Sequence, residues 1–98
     1  MIDPLKYEAF SAQLNSTFKI HYGAEQPLEA ELIEVKQLGA ARPGKEQPFS
    51  LLFRSQGADH YLIQQIYNFE HPELGVLDLF LVPLGPQGDA MLYEIIIG

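Results

Sequence analysis

Glu70, His71 and Glu73 are the residues of this 98-residue chain whose types and spacing most readily suggest chemistry. They stand together in YNFEHPELGVLDLFLVP, residues 67–83, just ahead of Gly75. A carboxylate beside an imidazole could move protons, hold a metal, or only mark a bend between two strands. The bend accounts for more of the residues. Pro72 fixes φ for the first central position of a type I turn. Gly75 supplies a left-handed residue where the turn rejoins a strand, as in a bulged hairpin. A catalytic site explains neither the Pro nor the Gly. His71 then lies at a strand end and Glu73 at an exposed tip, where a solvated carboxylate is a poor general acid.

Other chemistries meet similar objections. A metal or acid/base site built from Asp59, His60, Glu70 and His71 would draw on both ends of one strand, read as residues 61–70. At about 3.3 Å per residue those ends are about 30 Å apart. One ion cannot bridge them within a chain, and a tetrahedral site needs its ligands to converge. Ser50 and Ser55 accompany three histidines. However, Ser50 falls mid-strand, with no Gly-x-Ser-x-Gly elbow to expose it. GPQG at 85–88 lacks the Lys-Ser/Thr of a phosphate loop and the helix that follows one. Glu29, Glu31 and Glu34 read as a solvated strand edge, not a calcium loop. No catalytic residue, metal ligand or cofactor is expected.

A set of polar and aromatic residues remains as a speculative pocket or recognition surface: Tyr22, Arg54, Gln64, Tyr67 and His71. Gln64 and Gln65 sit inside an apolar stretch. If buried, such amides must find hydrogen bonds, most simply to backbone. If exposed, they could recognise a ligand. Arg54 is expected to pair with a carboxylate on a neighbouring strand, such as Glu70 or Asp78.

These residues need elements to position them. Asp3-Pro4 reads as a helix start, since Asp caps free N–H groups and Pro is tolerated at the first helical position. Tyr7, Phe10 and Leu14 recur at helical spacing, giving a short amphipathic helix ending near Asn15. The period then becomes two. Phe18, Ile20 and Tyr22 alternate with polar residues. So do Leu28, Ala30 and Leu32, after which the apolar phase slips to Ile33 and Val35. Such a slip indicates a bulge, which bends a sheet. Residues 39–48 form the longest loop. FSLLFRS, YLIQQIYNFE, VLDLFLVP and MLYEIIIG follow as strands. VLDLFLVP is apolar on both faces except at Asp78, which argues for a central strand ended by Pro83. LGPQGD reads as the turn before the last strand. The expected fold is mainly β: one N-terminal helix, then about six mostly antiparallel strands in a small barrel or strongly curled sheet, with the helix plugging an open side.

The bulk numbers bound the function. Ninety-eight residues make one domain, spanning 1–98. A domain of this size buries roughly 60–65% of its unfolded surface, which leaves little room for a large internal cavity. Net charge is −7, and the six cations are Lys6, Lys19, Lys36, Arg42, Lys45 and Arg54. Nucleic acid and anionic membranes are therefore disfavoured. No cysteine is present, which removes disulfides and thiolate chemistry and fits a reducing cytoplasm. Met1-Ile2-Asp3-Pro4 does not read as a signal peptide, and no apolar run reaches the ~18 residues of a membrane helix.

Several motifs also resemble a family. Phe49 to Phe53 (FSLLF), Gln64 with Tyr67, His71 to Gly75 (HPELG), Leu79 to Pro83 (LFLVP) and Tyr93-Glu94 are similar to an uncharacterised bacterial group of about this length, a domain of unknown function. The chain departs from that pattern at Ile63, where Pro is frequent, and at Ile95-Ile96-Ile97. The resemblance implies one small domain and carries no catalytic residue or ligand.

Two functions follow as expectations. The first is a non-enzymatic interaction or structural accessory module of a bacterial assembly. Its terminal strand, Ile95, Ile96 and Ile97, would then be an apolar edge open to a protein partner or a second copy. The alternative is a small-molecule-binding or catalytic barrel with a site at its mouth.

Overall fold

The structure, a computed structural model, describes residues 6–39, 47–56 and 62–97. One short helix, α1 (Tyr7–Ser11), precedes six strands: β1 (Thr17–His21), β2 (Leu28–Gln37), β3 (Phe49–Gln56), β4 (Gln65–His71), β5 (Gly75–Gln87) and β6 (Ala90–Ile97). All pair antiparallel and close into a barrel in the order β1-β2-β3-β6-β5-β4.

Two long strands make closure possible. β2 pairs with β1 from Leu28 to Glu31 and with β3 from Glu31 to Gln37. Its register shifts between Leu32 and Glu34, so Ile33 is the extra residue. This is the expected phase slip, and the bulge bends the strand. β5 does the same on the opposite side. Residues Gly75–Leu81 pair with β4, and Val82–Gln87 pair with β6, with a second shift between Pro83 and Gly85.

Side-chain alternation fills the barrel from every strand. Phe18, Ile20, Leu32, Leu51, Phe53, Phe69, Leu81, Tyr93 and Ile95 are all buried. Aromatic rings meet across it, with Phe18 edge-on to Phe53 at 5.1 Å and Phe53 tilted on Phe69 at 5.4 Å. Both ends are plugged. At one end α1 inserts Phe10 against Phe18 and Phe49. At the other, Leu62 is buried and its N–H donates to the Tyr93 hydroxyl at 3.1 Å.

Several boundaries differ from the sequence expectations. α1 ends at Ser11, not near Asn15. Asn15 adopts a left-handed φ of 72°, which Asn tolerates better than most residues. The chain there already pairs with β2, since Asn15 N–H donates to Leu32 O and Leu32 N–H to Ser16 O. Leu14 is thereby left on the surface. β4 starts at Gln65; of the three residues before it Leu62 is buried, while Ile63 and Gln64 are exposed. Pro83 does not end β5, which runs on to Gln87. The bulge at Leu84 lets proline sit in a strand there. The turn is only Gly88-Asp89, with Gly88 at φ 60° as a two-residue hairpin requires. The Asp3-Pro4 start, most of the 39–48 loop and the GADH turn lie outside the described residues.

β6 is not an edge. It lies between β3 and β5, with Ile97 opposite Phe49 and Ile95 opposite Leu51. Ile95 is buried, Ile97 packs against the core, and Ile96 alone of the three is exposed. In a closed barrel the last strand needs a neighbour on each side, which a linear reading of EIIIG does not reveal.

Candidate functional site

His71 ends β4, and its neighbours are set by the hairpin that follows. His71 pairs with Gly75, leaving Pro72, Glu73 and Leu74 as a three-residue loop, and Gly75 takes φ 81°. The turn is therefore the bulged hairpin read from Pro72 and Gly75. Its imidazole faces inward, 4% exposed and 4.4 Å from the Phe18 ring. The N–H groups of Glu73 and Leu74 both donate to Nδ1, at 3.0 and 3.3 Å. Nδ1 is therefore unprotonated and the ring hydrogen is on Nε2. Nε2 lies 2.9 Å from Ser16 Oγ, to which it donates. Ser16 Oγ in turn donates to Gln13 O at 2.6 Å.

A serine and a histidine thus do meet, and the serine is Ser16, not Ser50 or Ser55. The hydrogen bonds run in the wrong direction for catalysis. A nucleophilic serine needs an imidazole nitrogen that accepts its proton, with the other nitrogen donating to a carboxylate. Here Nε2 donates, Nδ1 accepts, and the hydroxyl hydrogen goes to a backbone carbonyl. The relay ties the turn after α1 to the β4–β5 hairpin. Burial lowers the His71 pKa from its ordinary value, with the Glu73 carboxylate opposing the shift.

The other pocket residues do not join His71. Arg54 lies on β3, whose neighbours are β2 and β6, so neither Glu70 nor Asp78 is its partner. Its Nη2 donates to Glu31 Oε1 at 3.1 Å. Glu70 meets His21 at 2.9 Å across β1–β4, and Asp78 accepts from Asn68 at 3.1 Å. Gln64 and Gln65 are both exposed, so neither is a buried amide. Tyr67 is buried and donates to Ile63 O at 2.8 Å, and its burial raises the phenol pKa. Tyr22 is half-buried and packs against the core. Among the described residues no three His, Asp or Glu side chains converge as metal ligands; Asp59 and His60 lie outside them.

Two surfaces stand out instead. The first is an open groove of about 770 Å³ where β2 turns away from β3, lined by Thr17, Lys19, Glu29, Glu31, Arg54 and Ser55 among others. Arg54 Nε and Ser55 Oγ are buried there without a hydrogen-bond partner among the described residues. The second is the outer face of β4 and β5. Ile66 sits directly opposite Phe80, and they are 63% and 47% exposed. Ile63, Val76 and Leu84 are also exposed on the same two strands or their approach, with Val76 separated from Phe80 by the Asn68–Asp78 pair. VLDLFLVP therefore alternates, with Leu77, Leu79 and Leu81 inside and Val76, Asp78 and Phe80 outside. Its outer residues are uncovered, contrary to the expectation of a strand buried on both faces.

Among the described residues no helix is long and apolar enough to cross a membrane. The model of a family catalogued as a domain of unknown function, DUF6916, matches residues 5–97. The chain belongs to that family. No curated protein and no solved structure shows significant similarity to it.

Proposed function

We propose that this member of a family of unknown function is a non-enzymatic interaction or structural accessory module of a larger bacterial assembly. The filled interior carries this reading. Phe10 and Leu62 plug the two ends, and aromatic and aliphatic side chains occupy the space between. A barrel that binds a small molecule at its mouth keeps that space for its ligand. The Ser16–His71 pair supports the same conclusion, because its tautomer deprives the hydroxyl of a base.

A stoichiometric protein that co-purifies with the tagged chain from its native cells, and rebinds when both are purified, is the expected result. Failure to recover such a partner, together with a thermal shift from a metabolite set, would overturn the module.

A small-molecule role has one observation in its favour, the unpartnered Arg54 Nε and Ser55 Oγ in the outer groove. Of the five residues considered for a pocket, only Arg54 lines it. Ligand-induced stabilisation lost in Arg54→Met would favour this role, and would move it from the barrel mouth to the groove.

A further inference from the structure

The exposed apolar residues of the molecule are unevenly placed. Seven large hydrophobics are exposed among the described residues: Leu14, Ile63, Ile66, Val76, Phe80, Leu84 and Ile96. Four of these, Ile66, Val76, Phe80 and Leu84, belong to β4 and β5, and Ile63 lies two residues before β4. The register makes Ile66 and Phe80 a direct cross-strand pair. Such a pair stabilises the sheet by itself, but a contiguous exposed apolar patch rimmed by polar residues also marks an interaction surface.

Charge is just as uneven. All six lysines and arginines occur at or before Arg54. β4, β5 and β6 carry none. Their outer positions are acidic wherever they are charged. Asp78 precedes Phe80 by two residues on the same face, Glu70 stands opposite Val76, and Glu94 stands opposite Val82. On this face Ile66 and Phe80 form the apolar centre, with Asp78, bonded to Asn68, on one side and Glu94 of β6 on the other. Glu70, further along, is neighboured by Lys19 and His21 of β1.

We infer that this face docks a distinct protein whose contact surface is apolar at its centre and flanked by lysine or arginine. The inference rests on the module reading above and names its surface and partner chemistry. Charge complementarity selects the occupant. A second copy joined face to face would set carboxylates against carboxylates on chains of net charge −7. Two of the chain's cations have acidic neighbours of their own. Arg54 bonds Glu31, and Lys19 lies between Glu29 and Glu70 in the β2–β1–β4 ladder. Nucleic acid and anionic lipid are repelled by the same carboxylates.

The test is site-resolved photo-crosslinking of the full chain in its native cells. Benzoylphenylalanine replaces Phe80 in one variant, Ile66 in a second and Lys36, exposed on β2, in a control. The expected result is an adduct to one other protein from positions 66 and 80 and not from 36, mapping to an apolar segment flanked by basic residues. With that partner purified, Asp78→Lys should weaken binding at least about tenfold while Lys36→Glu does not. Adducts between two copies of the chain, adducts to an acidic segment, or none at 66 and 80 would each overturn the inference. A partner crosslinked only from position 36 would overturn the surface and leave the module standing.

Discussion

His71 engages both ring nitrogens in holding the fold, and this makes its protonation costly. An imidazolium carries hydrogens on both nitrogens. The one on Nδ1 would face the two N–H donors of Glu73 and Leu74. The folded-state pKa is lowered from 6.5 by burial. Below 6.5 the unfolded chain binds a proton that the folded chain does not, so stability falls as pH drops from there through the folded pKa. Above 6.5 the residue contributes no pH dependence. Denaturant titrations at several pH values should show this decline, and His71→Phe should remove that component of it. The same substitution should cost about 1–3 kcal/mol at neutral pH, because the turn N–H groups lose their acceptor. Ser16→Ala should not expose any latent hydrolytic role, and ester turnover equal to that of the parent chain would show this. Arg54 and Glu31 are each about one-third exposed, so a double-mutant cycle should return only about 0–1 kcal/mol.

At the scale of elements, turns and bulges decide the path of the sheet. Gly75 sits at φ 81° with open space where a Cβ would go. Gly75→Ala therefore meets no clash, and its cost is conformational, about 1–2 kcal/mol. A thermal or denaturant melt measures it. Much of this level was legible from residue types. Pro72 and Gly75 announced the hairpin, and the change of phase at Ile33 announced the β2 bulge. The misplaced boundaries share a different cause. The helix stripe Tyr7, Phe10, Leu14 stops early because Asn15 and Ser16 are drawn into pairing with Leu32. β5 passes through Pro83 because a register shift removes the need for an N–H there. In both cases long-range pairing overrode a local preference.

The whole molecule depends on a core assembled from residues distant in sequence. Phe53 touches Phe18 and Phe69, one each from β1 and β4. Phe53→Ala should cost about 3–5 kcal/mol, enough to threaten a domain of this size. Far-UV circular dichroism and urea titration would register the loss. Phe80→Ala, on the outer face, should change stability by about 0.5 kcal/mol or less. The net charge of −7 sets a repulsion between copies of the chain at neutral pH. Light scattering should rise as pH approaches the sequence pI of about 4.7, where net repulsion vanishes and the β4–β5 face is left apolar.

Alternation, turn residues and the phase slip were enough to specify a helix followed by antiparallel strands that curl, because each is a property of neighbouring residues. Composition likewise settled the acidity and the absence of thiols. Which strands become neighbours is another matter. Ile95–Ile97 reads as a sticky end until β6 is seen between β3 and β5. Arg54 has several carboxylates to choose from until β2 proves adjacent. Ser16 and His71 are 55 residues apart, and no local pattern couples them. Only closure of the barrel brings such residues within hydrogen-bonding distance, and it also sets which apolar side chains are buried and which, like Ile66 and Phe80, are left facing out.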